Sequence, residues 1–223
     1  MPIRLAVLDM AGTTVADAGL VLQAFDAAAT AVGIGASGPE HERARKYVID
    51  TMGQSKIAVF RHLLGDEDQA QKANHAFENA YDNLIDDGHA HPIDGAAEAI
   101  ATLRAAGVKV ALTTGFSAAT KDRLLKSLGW NEIADLTLAP EEAGRGRPYP
   151  DLILTSLLRL QIDDVREIAV LGDTASDILS GRRAGAQIVV GTLTGAHSEA
   201  QLRDAEPTHI VDSITDFVQL VLN

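Results

Sequence analysis

The chain has 223 residues, 46% of them hydrophobic, no cysteine, and 19 basic against 31 acidic side chains, for a net charge of −12. That is enough apolar material for one large domain, or for a medium domain carrying an insert, and it argues against disorder. The negative balance argues against a nucleic-acid or anionic-membrane partner, and the lack of cysteine excludes disulfides, thiolate metal sites and a cysteine nucleophile. An anionic substrate therefore needs a local cluster of positive charge or a metal. No signal-peptide pattern and no apolar run of spanning length is present, so a soluble cytoplasmic protein is the expectation.

The first predicted element is the strand IRLAVLD (3–9), which stops at Asp9 and runs into the small, turn-prone Ala11-Gly12-Thr13-Thr14. From about residue 16 to 90 no strand pattern appears. Amphipathic helical segments fill that stretch: AGLVLQAFDAAATAVG (18–33), SKIAVFRHLLG (55–65) and DQAQKANHAFENAYDNLI (68–85). DDGHAHPIDG (86–95) then reads as a returning linker broken by Gly and Pro. Beyond it, short β-branched runs ending in polar or Gly residues alternate with helical patterns. The strands are VKVALTT (108–114), EIAVLGD (167–173), AQIVVGT (186–192) and THIVDS (208–213). The helices fall over residues 94–107, 117–129, 151–160 and 176–185, with Gly107, Gly129 and Gly185 where three of them stop. This alternation predicts an α/β fold: a Rossmann-like doubly wound parallel sheet built from residues 1–15 and 91–223, interrupted by an all-helical cap domain over 16–90.

In a parallel sheet the polar strand ends converge on one crevice. Asp9 meets there Thr113-Thr114-Gly115, the Arg145 and Arg147 of GRGRPYP (144–150), and the Asp173 and Asp177 of GDTASD (172–177). Three acids in one crevice suit a hard cation with oxygen ligands, and Mg²⁺ is the expected one. Thr114, Arg147 and the backbone amides near Gly12 and Thr13 are candidates for phosphoryl oxygens. Asp9 is then cast as a nucleophile forming an aspartyl phosphate. Arg145 reads as a surface charge.

DMAGTT, TTG, GRPYP and GDTASD, in this order across nearly the whole chain, resemble the four signature motifs of the haloacid dehalogenase superfamily. Most phosphatases of that superfamily carry D-x-D at the first motif and lysine at the third. Here the first is Asp9-x-Ala11 and the third offers Arg147, a combination similar to the phosphonatase (phosphonoacetaldehyde hydrolase) branch. The resemblance implies metal ligation by Asp9, the Ala11 carbonyl, Asp173 and Asp177. DTMGQSKIAVF (50–60) resembles the phosphonatase cap stretch, in which Met52-Gly53 precedes a Schiff-base lysine, here Lys56. Lys46 and Lys72 lack that context. Gly115 and Phe116 fall where the family walls its substrate, with Phe116 in place of a tyrosine. The family's proton-shuttling histidine is Val59 here, and His62 lies one turn further on.

The missing second acid has a physical reading. In a phosphatase that acid protonates a departing alkoxide. A phosphonate has carbon bonded to phosphorus, and expelling a bare carbanion is too costly without an electron sink such as a protonated imine. The sequence therefore predicts Mg²⁺-dependent cleavage of the C–P bond of phosphonoacetaldehyde or a related 2-oxoalkylphosphonate through Lys56. The alternative is a phosphomonoesterase acting on a small phosphate ester. Relatives pair through their caps, which makes a homodimer an expectation of the resemblance.

Overall fold

The uninterrupted run Leu5–Asp9 forms β1 in the computed structural model, which describes residues 1–223, and all five of its residues are buried. A strand this apolar needs cover on both faces, which places it inside a parallel sheet. The chain continues through β2 (Val15–Ala16), α1 (Leu20–Ala31), α2 (Pro39–Asp50), α3 (Lys56–Leu64), α4 (Glu67–Asp86), β3 (His91–Pro92) and α5 (Ala96–Ala105). It then forms β4 (Lys109–Thr113), α6 (Ala118–Ser127), β5 (Leu136–Leu138), α7 (Pro140–Ala143) and α8 (Asp151–Arg159). The last elements are β6 (Ile168–Gly172), α9 (Ala175–Ala184), β7 (Ile188–Thr192), α10 (Glu199–Asp204), β8 (His209–Val211) and α11 (Ile214–Leu222).

Six strands make one parallel sheet in the order β5-β4-β1-β6-β7-β8. The expected Rossmann-like α/β architecture is what the chain adopts. Strand order reverses on either side of β1, so the crevice beyond its carboxyl end is the topological switch point where such sheets bind ligands. Register levels the strand ends: Asp9 pairs with Thr113, and Leu8 with Leu171 one residue short of Gly172. Residue parity in β1 separates the two faces. Leu5 and Val7 pack with Ile153 of α8, whereas Ala6 and Leu8 belong with Ile100 of α5 and Phe217 of α11.

Between β2 and β3 the chain forms only helices, α1 to α4. Asp66 starts α4 by accepting the Gln69 amide at 2.8 Å, with Glu67 and Asp68 in the first turn beside the positive helix end. Both α1 and α3 pack on α4, and α4 rests on α6. Their seam is aromatic. Phe25, Phe60, Phe77 and Tyr81 follow one another at centroid spacings of 6.2, 6.2 and 5.9 Å, and Tyr81 meets Phe116 at 4.4 Å. The linker predicted over 86–95 contains more order than expected. Val15 pairs with Pro92 and Ala16 with His91, antiparallel, so the chain leaves and re-enters the sheet domain through one short ladder. No helix is long and apolar enough to cross a membrane.

Candidate active site

The strand ends and the helical segment enclose a cavity of about 380 Å³. Asp9, Ala11, Met52, Gly53, Lys56, Thr114, Gly115, Phe116, Arg147 and Asp173, all selected from the sequence, line it. They come from five separate stretches of chain.

Arg147 organises the acidic side. Its guanidinium donates to Asp9 Oδ1 at 2.5 Å and Thr113 Oγ1 at 2.6 Å, and its Nε lies 2.9 Å from Asp177 Oδ1. All of these groups are buried. Asp177 also closes a capping box at the start of α9, accepting from the Thr174 amide at 3.1 Å. Asp173 is held by the Thr13 hydroxyl at 3.1 Å and the Ala196 amide at 2.7 Å. Thr114 Oγ1 accepts the Phe116 amide at 3.2 Å, which leaves its own hydroxyl proton to donate into the cavity. Arg145, as expected of a surface charge, pairs with Asp151 and covers Tyr149 instead of entering the site.

One expectation is corrected. Gly12 and Thr13 do not present amides to the cavity: the Gly12 amide donates to Val15 O at 2.7 Å and the Thr13 amide to Met10 O at 3.2 Å. Their task is to shape Asp173. Gly12 has φ +89°, and a Cβ there would meet Asp173 Oδ2 at 2.4 Å, so only glycine lets this turn pass the carboxylate.

Oxygen atoms of Asp9, Asp173 and Asp177 lie within 4.8 Å of one another. Burial pushes Asp9 up to about 7; Arg147 opposes that shift and the charge of Asp177 reinforces it. Asp173 is likewise raised, by burial first and then by Asp9 and Asp177. Three buried carboxylates gathered this closely, with one arginine between them, form a donor set that fits a hard divalent cation. The sign of the linkage gives a test. A carboxyl whose proton affinity is raised by folding stabilises the protein at low pH and loses that contribution as pH rises through the folded value. Without metal, the melting temperature is expected to fall between pH 5 and pH 7.5. A divalent cation should recover it at pH 7.5, read by thermal denaturation with and without EDTA.

Lys56 opens α3 on the opposite wall. Its ammonium has no hydrogen-bond or ion-pair partner in the protein and stands 5.8 Å from the Phe77 ring centroid and 5.5 Å from that of Phe116. Burial lowers its pKa to about 8, although Asp17 and Asp9 pull the other way.

The loop before Lys56 is seated tightly on the sheet domain. The Lys56 amide reaches Gly115 O at 3.3 Å, and a Cβ on Gly115 would lie 2.5 Å from Gln54 O. His197 adds a tie. Its Nδ1 accepts from the Ala175 amide at 3.0 Å, which leaves Nε2–H to donate to Ile49 O at 3.0 Å.

The sequence reading missed the whole segment after β7. Thr194 donates to Gly12 O at 2.7 Å, Ala196 holds Asp173, and His197 bridges to α2. GTLTGAHS (191–198) carried the same Gly-and-hydroxyl signature at a strand end as the motifs that were recognised. Asp17 was missed as well, and it lines the cavity beside Lys56.

A parallel sheet whose switch point carries a buried aspartate, with an arginine and further acids beside it, is an arrangement found in hydrolases of the α/β class. The family model for haloacid dehalogenase-like hydrolases matches residues 3–185, and the chain belongs to that family. Among curated proteins, it is 31% identical to a phosphonoacetaldehyde hydrolase of Pseudomonas fluorescens over 60% of this chain and 57% of that protein. The chain thus spans about half the length of the curated relatives it matches. Among solved structures, a phosphonoacetaldehyde hydrolase like protein from Oleispira antarctica superposes with TM-score 0.82 at 22% identity, covering 100% of this chain and 95% of the other. A predicted phosphoglycolate phosphatase from Haemophilus somnus gives TM-score 0.81 at 17% identity, with 98% and 97% covered. Both structures share the fold.

Proposed function

We propose that the protein is a Mg²⁺-dependent hydrolase that cleaves the carbon–phosphorus bond of phosphonoacetaldehyde or a closely related 2-oxoalkylphosphonate. One observation carries this reading: an unpaired lysine amine, with its pKa lowered by burial, opens into the same cavity as Asp9. Hydrolysis of a phosphate ester has no step that calls for such an amine. Ala11 strengthens the reading, because an esterase needs an acid to protonate its departing alkoxide and this position supplies none.

In the proposed reaction the Lys56 ammonium gives up a proton, the free amine adds to the substrate aldehyde, and the proton returns to the hydroxyl as water is expelled, leaving a protonated imine. Asp9 then attacks phosphorus. As the O–P bond forms, the C–P electron pair flows into the imine and leaves as an enamine. Protonation at carbon and hydrolysis return Lys56 and release the aldehyde. Water attacks the aspartyl phosphate to release phosphate. Arg147 and the Thr114 hydroxyl bear on the phosphoryl oxygens. Asp9, Asp173, Asp177 and the Ala11 carbonyl would hold Mg²⁺, which neutralises phosphoryl charge when bound. Residues 16–90 serve as a cap on a core of 1–15 and 91–223, with Met52, Gly53, Gly115 and Phe116 as the substrate wall, and the closed cap keeps water out until transfer is complete.

The test is phosphate release with Mg²⁺ from phosphonoacetaldehyde and from phosphoglycolate, each repeated with EDTA, together with borohydride reduction during turnover. We expect metal-dependent release from the phosphonate and a reduced adduct mapped to Lys56 by mass spectrometry. Release from the ester alone, with Lys56 unmodified, would leave the phosphomonoesterase.

A further inference from the structure

Imine chemistry needs a proton carrier beside the amine, a requirement that rests on the Lys56 reading above. The ammonium must shed a proton before it attacks, and the carbinolamine hydroxyl must gain one before it departs as water. Neither sequence position raised for this role supplies it. Val59 is buried and apolar, and His62 stacks on Tyr47 at 4.5 Å in a separate groove with Glu40 and Arg43.

Five ionisable side chains line the cavity: Asp9, Asp17, Lys56, Arg147 and Asp173. Asp9 and Arg147 are bound to each other, and Asp173 is held by Thr13 and Ala196. Only Asp17 stands with Lys56 outside that cluster. It sits where β2 hands over to α1, and its Oδ1 accepts the Val21 amide at 3.0 Å, which fixes the carboxyl on the first turn of α1. We propose that Asp17 is the general acid–base of the imine half of the reaction, passing protons between Lys56 and the carbinolamine oxygen.

The two side chains share the cavity and feel each other's charge without touching as an ion pair. Because both line one cavity without an ion pair, a proton passes between them through the carbinolamine oxygen or through water. Burial holds Asp17 above the usual carboxylate range while it lowers Lys56, which brings their proton affinities closer together. The other groups facing Asp17 do not compete. The Tyr81 hydroxyl is buried without a partner, and burial together with the charges of Asp17 and Asp9 keeps it protonated. Arg147 stays charged, and Asp9 is committed to it.

The steps balance. Asp17 takes one proton from the ammonium and gives it to the carbonyl oxygen as nitrogen bonds to carbon. It then takes a second proton from that nitrogen and delivers it to the hydroxyl, which leaves as water while the nitrogen lone pair closes the C=N bond. Ammonium and aldehyde have become protonated imine and water, and Asp17 is again a carboxylate.

The test exploits opposite signs. Removing the charge of Asp17 makes Lys56 a weaker base, so an Asp17 acting only through its field would, once lost, leave more free amine at pH 7 and equal or faster adduct formation. An Asp17 that carries protons gives the reverse. The measurement is the rate at which cyanoborohydride traps phosphonoacetaldehyde on Lys56 of the full chain at pH 7 with Mg²⁺. Asp17→Asn, whose amide oxygen still accepts the Val21 amide, should slow trapping by about 100-fold, and Asp17→Glu should recover much of the loss. A fall of less than about tenfold in Asp17→Asn, or an equal loss in Asp17→Glu with a lowered melting temperature, would overturn the assignment. No adduct in the wild type would remove the Lys56 reading and this proposal together, whereas equal adduct in wild type and Asp17→Asn would remove only the role of Asp17.

Discussion

Lys56→Met is expected to abolish C–P cleavage, with a loss on the order of 10⁴-fold or more, the scale on which deleting a covalent nucleophile acts. It should also abolish borohydride adduct formation. Lys56→Arg should fail equally, because a guanidinium stays protonated and cannot condense with an aldehyde. The folded state resists charging this lysine below about pH 8, since burial outweighs the pull of Asp17 and Asp9. Methionine keeps the apolar contacts with Phe77 and Phe116 while dropping that charge, so the melting temperature should hold or rise. A base whose affinity is lowered on folding costs stability in full below the folded value, and that cost fades as pH rises from the folded value toward the unfolded one. The stabilisation by methionine should therefore be present at pH 7 and shrink above pH 8. In the wild type, the rate should climb with pH toward the same value as the amine is freed. Retained cleavage in Lys56→Met would exclude the imine.

How much of this was legible beforehand depended on whether the signal was local. The central strands were, because Leu5–Asp9 and Ile168–Gly172 are apolar on both faces and end in polar groups at one level. The convergence of Asp9, Arg147 and Asp173 followed from the parallel order alone, without any distance. β5 was not legible, since three residues at the sheet edge give no periodicity to count. Nor was the pairing of Val15–Ala16 with His91–Pro92, which joins residues far apart in sequence through two positions only. α2 carries Pro39 at its start and Glu40 and Glu42 in its first turn, yet it buries only His41, Ala44 and Val48, too thin a stripe to read as amphipathic.

The errors within the site have the same origin. Gly12 and Thr13 looked like phosphate binders because a glycine turn after a strand often is one. Their amides were claimed by Val15 and Met10, a contest that only the closed turn decides. Asp17 reads as a helix-start residue, and it is one, through the Val21 amide. That it also faces an amine 39 positions away arises from how α1 and α3 pack on α4, which no local pattern encodes.

Asp9→Asn sets stability against activity at the opposite wall. Phosphoryl transfer from any substrate should fall by about 10⁴ to 10⁶, because an amide does not form the acyl phosphate. The metal-free fold should respond in the other direction. Asp9 is buried beside Asp177 and Asp173, and its charge is disfavoured enough to push it up to about 7 despite the Arg147 bond. Asparagine keeps an oxygen for the Arg147 guanidinium, whose Nε remains with Asp177, so no buried cation is orphaned. At pH 7.5 without metal, the melting temperature should rise by about 2–4 °C for each kcal/mol of repulsion relieved. Its decline between pH 5 and pH 7.5 should flatten, and the stabilisation by Mg²⁺ should shrink with the loss of a ligand charge. A metal-free Asp9→Asn that melts well below the wild type would mean that attraction to Arg147, and not repulsion among the acids, governs this site. The cluster would then be a structural ion network with no standing demand for a cation.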